Sequence, residues 1–220
     1  PSMTYSCGVF TEPGTSLEAA QREKYRRICA KLELGPDDHV LEIGCGWGAF
    51  AVHAATHHGC RVTALTLSPD QHRVASDRVA AVGLGHLVEV RLEDYRATAG
   101  RYDKIASIEM LEAVGAAEHR RFFQAADRLL TPDGRMCIQV ITIADERWER
   151  YRRTRDWIQT YIFPGATVPS LGALRAAMEP TRLRVAWRDD IGPHYATTLR
   201  LWRERFEAQL DHVRAMGFSD

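Results

Sequence analysis

Residues 40–50 read Val-Leu-Glu-Ile-Gly-Cys-Gly-Trp-Gly-Ala-Phe, with three glycines at alternate positions directly after an apolar run. The run from Val40 to Ile43 predicts a buried strand, and the apolar positions from Phe50 onward predict a helix. Glycine is needed where the backbone turns tightly and approaches a ligand, because a Cβ would block both the turn and the approach. The stretch therefore predicts a strand–turn–helix cradle for a nucleotide, with Glu42 just before the turn.

The spacing of the three glycines separates two kinds of nucleotide cradle. In the dinucleotide fingerprint G-x-G-x-x-G the third glycine comes one residue later than it does here. The spacing E-x-G-x-G-x-G, from Glu42 to Gly48, is instead similar to motif I of the S-adenosylmethionine-dependent methyltransferases. A tight turn between a strand and a helix, without any ligand, is the alternative interpretation.

Length, charge and cysteine content argue against several classes of protein. The 220 residues, 45% of them hydrophobic, can bury one substantial core, which predicts a single domain over residues 1–220. The 29 basic and 29 acidic residues balance, which argues against a nucleic-acid partner bound through a broad positive field. Five scattered cysteines without a C-x-x-C pair indicate neither a zinc site nor a disulfide framework and favour the reducing cytoplasm. No apolar run reaches the roughly 18 residues that span a bilayer, so any membrane contact is expected to be peripheral.

Helix and strand signals alternate from residue 17 onward, as is typical of an α/β protein with a doubly wound, mostly parallel sheet. Strands are predicted at residues 39–43, 61–67, 87–92, 104–108 and 135–143. A helix follows the second strand, where Ser68 provides an N-cap and Pro69 the first helical position. Other elements predicted from the pattern are helices at residues 17–32, 48–58 and 117–130 and a turn at 131–134.

Two later segments depart from this alternation. Residues 144–170 mix arginines with aromatic side chains, which fits either a solvated helix packed on the core or a lid whose arginines lie against anionic head groups. Residues 197–216 predict a helix, and core packing explains its apolar stripe without any ligand. The members of this stripe are Leu199, Trp202, Phe206, Leu210 and Val213.

Over almost all of its length the chain resembles the cyclopropane-fatty-acyl-phospholipid synthases and mycolic acid cyclopropane synthases, which have the Rossmann-like class I methyltransferase fold. Each block that carries the resemblance is weak alone, but their order is highly specific. The blocks are residues 5–8, 42–48, 65–68 with Gln71, 92–95, 107–115 (SIEMLEAVG), 161–165 and 195–198. The resemblance implies transfer of the sulfonium methyl of S-adenosylmethionine to a cis double bond of a phospholipid acyl chain at a membrane surface. A bound bicarbonate ion then removes a proton and the ring closes.

The resemblance also implies a site for S-adenosylmethionine. Gly44 and Gly46 would approach it through their backbone, and Tyr5 and Ser6 would contact its methionine end. The ribose and adenine would lie against the remaining members, Thr66, Leu67, Gln71, Leu92, Glu93 and Ile108. A carboxylate at a strand's end, such as Glu93, can accept a hydrogen bond from an exocyclic amine, although a solvated loop acid is the simpler explanation.

A second group of residues is implied to hold the bicarbonate. Cys7 and Ile141 would bind it through their backbone, and Glu112 and Tyr195 through their side chains. Gln139 stands where the family has a histidine, and glutamine can donate a hydrogen bond but cannot carry charge. An anion would therefore be held more weakly, which favours a second hypothesis, a lipid C-methyltransferase that makes methyl- or methylene-branched chains. Glu112 has a simpler explanation as a helix N-terminal acid, and Cys7 as a small buried residue.

Two further functions stay open, a small-molecule N- or O-methyltransferase and a non-catalytic cofactor-binding module. No metal site is predicted. Compared with the family, the chain is expected to be a fragment of a longer protein and to lack the final antiparallel strand, which would lie between strand 5 and a sixth strand at residues 182–188. A partner chain in a homodimer is one way to fill that gap.

Overall fold

Five strands form one sheet in the computed structural model, which describes residues 2–218. Each strand pairs in parallel with its neighbour, in the order 3-2-1-4-5. The strands are β1 (His39–Ile43), β2 (Arg61–Thr66), β3 (Val88–Leu92), β4 (Tyr102–Ile108) and β5 (Leu130–Gln139). The strand order reverses between β1 and β4, where such sheets open a crevice at the carboxyl ends of their strands. The predicted doubly wound α/β class is confirmed.

The helices cover both faces of this sheet. They are α1 (Leu17–Leu32), α2 (Ala49–His58), α3 (Pro69–Ala81), α4 (His119–Leu129), α5 (Asp145–Tyr151), α6 (Trp157–Tyr161), α7 (Leu171–Met178), α8 (Pro193–Glu207) and α9 (Leu210–Ala215). The start of α3 is as predicted, since the Ser68 side chain accepts a hydrogen bond from Gln71 N at 3.2 Å and Pro69 follows directly. Two short 3₁₀ turns, Leu111–Ala113 and Ala116–Glu118, connect β4 to α4.

The core consists of two apolar layers, one on each face of the sheet. On one face α1, α2 and α3 pack against the sheet through residues such as Ile28, Phe50 and Val79. On the other face α4 and α7 pack through Phe122 and Leu174. β1 is buried from its second residue to its last, because both of its faces are covered by helices. The central strand is thus held rigidly, and its carboxyl end carries the glycine turn.

β5 differs from its predicted boundaries at both ends. It begins at Leu130 and ends at Gln139, whereas the sequence predicted a turn at 131–134 and a strand over 135–143. The register shifts from Tyr102 opposite Leu130 to Lys104 opposite Arg135, so the turn-forming residues are accommodated as an irregularity inside the strand. The practical consequence is that Gln139 is the last residue of β5 and lies at the crevice.

The predicted sixth strand was wrong for the part of the chain that the structure describes. Residues 182–188 form no strand, and Arg182 instead pairs with Asp127 of α4 at 3.0 Å. β5 is therefore the edge strand among the residues described, and no antiparallel strand accompanies it there. Within residues 2–218, no helix is both long and apolar enough to cross a bilayer.

The single helix predicted over 197–216 is two helices in the structure, because the helical conformation is interrupted between α8 and α9. The expectation that its apolar stripe packs in the core was also wrong. Leu199 and Phe206 are exposed, and Trp202, Leu210 and Val213 are only partly buried. The residue of α8 that does reach the interior is Thr198, which is fully buried.

Candidate cofactor and catalytic site

The glycine turn after β1 has the backbone that a close ligand approach requires. Gly44 and Gly46 have φ of +85° and +51°, in the left-handed region that favours glycine. The N–H groups of Gly44 and Cys45 both donate to the Leu65 carbonyl, at 3.2 and 2.8 Å, which ties the turn to the end of β2. A Cβ on Gly46 would lie 3.3 Å from the Tyr5 ring. Gly46 therefore keeps open a space between the turn and the segment that carries Tyr5.

Glu42 lies at the base of this turn and is completely buried. Burial raises the pKa of its carboxyl to about 8, although a hydrogen bond from the Ala51 backbone and the nearby Lys24 both oppose this shift. Its Oε2 atom has no hydrogen-bond partner among the residues described. A buried polar atom without a partner is costly. Glu42 thus offers an acceptor that a bound ammonium group would satisfy.

The residues predicted to hold the ribose form a connected chain of hydrogen bonds. Thr66 Oγ1 donates to Gln71 Oε1 at 2.9 Å, and Gln71 Nε2 donates to Tyr5 Oη at 3.1 Å. Thr66 also accepts from the Ser68 backbone at 3.2 Å, which fixes its hydroxyl group at the end of β2. The structure thus brings Tyr5 against the glycine turn, with its hydroxyl bound to Gln71.

The predicted adenine neighbours follow at the ends of β2, β3 and β4. Leu67 and Leu92 expose 68% and 51% of their surface, as expected of side chains that a flat apolar ligand would cover. Glu93 donates its backbone N–H to the Thr66 carbonyl at 3.1 Å, and Ile108 is partly buried as the last residue of β4. The residues predicted for the cofactor thus lie near the carboxyl ends of β1 to β4 or on the segment that carries Tyr5 and Ser6, and their binding of a cofactor stays a prediction.

Three of the five predicted catalytic residues, Cys7, Gln139 and Tyr195, gather around an acid that the sequence analysis missed, Glu109. Its Oε1 accepts from Cys7 N at 3.1 Å and from Gln139 Nε2 at 2.8 Å, and its Oε2 accepts from the Tyr195 hydroxyl at 2.8 Å. Its own N–H donates to the Gln139 carbonyl at 2.7 Å, and its φ is +48°, which is uncommon for a residue other than glycine. Hydrogen bonds to a carboxylate are strong ones, so three donors hold Glu109 in a single position.

Glu112 and Ile141 form a separate pair beside this cluster. Glu112 Oε1 accepts from the Ile141 backbone at 2.6 Å, whereas its Oε2 is buried without a partner among the residues described. Burial raises the pKa of Glu112 to about 7, and the nearby Glu109 adds to this shift. The donors that the resemblance assigned to bicarbonate are thus occupied by two carboxylates of the chain itself, and bicarbonate binding stays a prediction.

Two neighbouring groups keep their protons at neutral pH. Burial, and then the Glu109 carboxylate, hold the pKa of Tyr195 well above its usual range, so its hydroxyl remains a donor. Burial raises the pKa of the Cys7 thiol to about 11. Cys7 reaches Glu109 through its backbone N–H and accepts from Gln139 through its carbonyl at 3.3 Å. The structure therefore assigns the backbone of Cys7, and not its thiol, to the cluster.

One signal in the sequence pointed to Glu109. It is the first residue after a buried parallel strand, and the carboxyl ends of such strands line the crevice. The block 107–115 contains two acids, and the sequence analysis selected the second because of its place in the family pattern. Within residues 2–218, His, Cys, Asp and Glu side chains form no group of three or more that could hold a metal ion.

The chain is similar to known lipid methyltransferases and cyclopropane synthases. A family model described as mycolic acid cyclopropane synthetase matches residues 1–220. Tuberculostearic acid methyltransferase UfaA1 of Mycobacterium tuberculosis is 44% identical over 227 residues, which cover 100% of this chain and 53% of that protein. Cyclopropane-fatty-acyl-phospholipid synthase of Escherichia coli is 35% identical, over 94% of this chain and 52% of that protein. The chain spans about half the length of these curated relatives.

A solved structure of mycolic acid cyclopropane synthase CmaA1 complexed with SAH and CTAB has a similar fold. It superposes with a TM-score of 0.90 at 30% sequence identity, and the match covers 98% of this chain and 79% of that one.

Proposed function

The chain belongs to the mycolic acid cyclopropane synthetase family, and we propose that the protein containing it methylates the double bond of an unsaturated lipid acyl chain. The observation that carries the proposal is the Glu109 carboxylate, held by Cys7, Gln139 and Tyr195 beside the glycine turn. C-methylation is our first choice of reaction, because the similarity to tuberculostearic acid methyltransferase is higher than that to the cyclopropane synthase of E. coli. Cyclopropanation is the second choice, supported by the cyclopropane synthases among its relatives and structural neighbours.

The crevice suits S-adenosylmethionine, which when bound supplies a methyl group on positively charged sulfur. Glu42 would accept from the ammonium of the methionine end, because its buried Oε2 has no other partner among the residues described. Leu67 and Leu92 would cover the adenine, and Gln71 and Thr66 lie where the ribose hydroxyls need polar neighbours. These residues would recognise the cofactor. Glu109 is not one of them, so it is available to act as a base.

Glu109 is placed to take the proton that the reaction must release. Addition of a methyl group to one alkene carbon leaves a positive charge on its neighbour, and loss of one proton then gives a neutral lipid that has gained one CH₂. Glu109 would accept that proton and become a neutral acid. The product is a ring if a carbon–carbon bond closes as the proton leaves the added methyl. It is a methylene branch if a hydride first shifts from the methylated carbon, and a methyl branch requires a later, separate reduction.

This proposal replaces bicarbonate with a residue of the chain. Bicarbonate would need the donors of Cys7, Gln139 and Tyr195, which in the structure bind the Glu109 carboxylate, and the Ile141 N–H, which binds Glu112. A tethered base also avoids the entropic cost of capturing an ion for each turnover. Gln139 suits a carboxylate base better than a positively charged histidine would. Its neutral amide orients the Glu109 carboxylate without neutralising the negative charge.

The substitution Glu109→Gly tests this role, since the left-handed φ of +48° suits glycine. In the full protein we expect turnover to fall at least a hundredfold, the usual scale for loss of a general base, and to recover in part when bicarbonate is added. Glu33→Gly is a matched control, because Glu33 has a similar φ of +53° but caps α1 far from the crevice. Mass spectrometry and NMR of the lipid product would distinguish a ring from a methylene branch. Wild-type activity that vanishes in bicarbonate-free buffer and returns with bicarbonate would contradict the assignment.

The insertion over residues 144–170 supports a membrane-bound substrate. Its return segment is anchored beside the site, because Thr167 N donates to the Glu112 carbonyl at 2.8 Å. Its apolar side chains point to solvent, each about half exposed or more: Trp157, Ile158, Tyr161, Ile162 and Phe163. Residues 147–155 contain five arginines and one glutamate. Exposed aromatic side chains next to arginines are typical of segments that bind an anionic bilayer surface. We therefore place the protein at the periphery of a phospholipid membrane.

A further inference from the structure

Lys24 on α1 is buried, with only 1% of its surface exposed, and was not among the predicted site residues. Its Nζ donates to the Ser6 hydroxyl at 2.6 Å and lies 4.9 Å from the centre of the Tyr25 ring. Lys24 forms no ion pair with any residue that the structure describes. Burying an ammonium group on one neutral partner is costly. Such a residue calls for a functional explanation.

The segment of residues 5–8, here called the strap, is held by side chains from several elements. Gln21, one turn before Lys24 on α1, donates to the Ser6 carbonyl at 2.8 Å. From α8, Thr198 Oγ1 accepts from Gly8 N at 3.2 Å. Cys7 in the same segment binds Glu109. The strap is thus fixed in place independently of Lys24, and the contribution of Lys24 is its contact with the Ser6 hydroxyl.

An ammonium group can only donate hydrogen bonds. The Ser6 oxygen must therefore accept from Lys24, and the one hydrogen of that hydroxyl is left to donate elsewhere. It donates to no residue among those the structure describes, and Ser6 is itself buried next to Tyr5 at the edge of the crevice. The hydroxyl is thus a donor without an acceptor, which fits a negatively charged group on a ligand.

We propose that Lys24 is a positioning residue that makes Ser6 an obligate donor to the carboxylate of the cofactor's methionine end. This inference rests on the proposed function, because it assumes S-adenosylmethionine in the crevice. Glu42 would supply the matching acceptor for the ammonium of the same group. One oriented donor and one buried acceptor then distinguish a zwitterionic amino-acid end from a neutral one.

The surroundings of Lys24 are consistent with a charge maintained at some cost. Burial lowers the pKa of Lys24 to about 7, and the nearby Glu109, Cys7 and Glu42 all oppose that shift. A carboxylate bound through Ser6 would further favour the ammonium form. Ligand binding and the charge of Lys24 are then coupled through the Ser6 hydroxyl.

Binding of two nucleosides to the full protein tests the inference without any lipid. S-adenosylhomocysteine carries the amino-acid end, and 5′-methylthioadenosine lacks it. In Lys24→Met, which keeps the length of the side chain, calorimetry should show S-adenosylhomocysteine binding weakened about tenfold to a hundredfold, the scale of one hydrogen bond to a charged group. Binding of 5′-methylthioadenosine should change less than about twofold, because the strap remains in place.

Three further variants separate positioning from folding. Lys24→Gln retains a donor to Ser6 and should restore part of the affinity, and this variant together with Ser6→Ala carries the test if Lys24→Met does not fold. The double variant Lys24→Met/Ser6→Ala should bind no more weakly than Ser6→Ala alone, because Lys24 acts on the ligand only through the Ser6 hydroxyl. Equal weakening of both nucleosides, or of neither, would overturn the inference. Failure of the lipid reaction in an enzyme that still binds S-adenosylhomocysteine would overturn only the proposed function.

Discussion

Glu109 shows how much chemistry depends on a single backbone angle. Its φ of +48° turns its side chain toward Cys7 and Tyr195, whereas Glu112, three residues later, pairs with Ile141 N. Backbone strain of this kind is found at sites where the surrounding contacts hold it in place. Here those contacts are the three donors to the Glu109 carboxylate and its N–H bond to Gln139.

Gly46 is the residue on which cofactor binding should depend most directly. Gly46→Val would place a branched side chain at a φ of +51° and against the Tyr5 ring, where even a Cβ lies 3.3 Å away. We expect calorimetry to show S-adenosylhomocysteine affinity reduced at least a hundredfold in a folded protein. Gly83→Val controls for backbone strain alone, because Gly83 has a φ of +72° but no atom within 4 Å of a Cβ. Unchanged affinity in Gly46→Val would remove the cofactor from this turn.

At the scale of elements, the insertion around α5 and α6 is exposed but well formed locally. Asp156 and Gln159 form a capping box at the start of α6, with Gln159 N donating to Asp156 Oδ1 at 2.7 Å. The rings of Trp157 and Tyr161 lie 5.8 Å apart on the same helix. A short helix with a cap and an apolar face open to solvent is suited to contact with a surface supplied from outside.

The double variant Trp157→Ser/Phe163→Ser tests that contact. Sedimentation with phosphatidylglycerol vesicles should show binding weakened about tenfold or more, because two aromatic side chains no longer enter the interface. Binding should also fall as salt rises, since the arginines act through long-range charge. Val82→Ser is the control, since Val82 is similarly exposed but lies at the C-terminal end of α3, outside the insertion. Equal binding to neutral phosphatidylcholine, or no effect of the variant, would count against a membrane role for the insertion.

At the scale of the whole molecule, the fold buries three ionisable side chains near one crevice. Burial raises the pKa of Glu42 to about 8 and of Glu112 to about 7, and lowers that of Lys24 to about 7. An acid with a raised pKa contributes stability that is fully present below its unfolded value of 4.5 and lost as the pH rises through its folded value. Lys24 acts in the opposite direction, because its neutral form is favoured by burial above about pH 7.

Glu112→Gln should therefore change how stability depends on pH. Glutamine still accepts from Ile141 N but carries no charge, so the variant escapes the cost of ionising a buried acid. Relative to wild type, its free energy of unfolding should gain about 2–3 kcal/mol between about pH 5 and about pH 8. Urea titrations followed by circular dichroism at the two pH values measure this difference. Parallel pH profiles for the two proteins would show that Glu112 is not ionised at a cost in the folded state.

The sequence by itself determined the elements that depend on local pattern. Apolar runs and the glycine turn predicted β1 and α1 to the residue and placed α2, β2 and β3 within one residue, and Ser68 with Pro69 predicted the start of α3. The individual cofactor residues came from the family resemblance, and a parallel sheet brings the ends of its strands, where most of these residues lie, to one edge.

Only the tertiary structure decided the features that depend on distant partners. The irregularity in β5 depends on its pairing with β4, and the exposure of the α8 stripe depends on what packs there. The choice of Glu109 over Glu112 at the cluster depends on one left-handed φ, which nothing in a glutamate's sequence context signals. The hydrogen bond from Lys24 to Ser6 joins residues of different segments. It forms only when α1 packs against the strap, so the local sequence pattern carries no information about it.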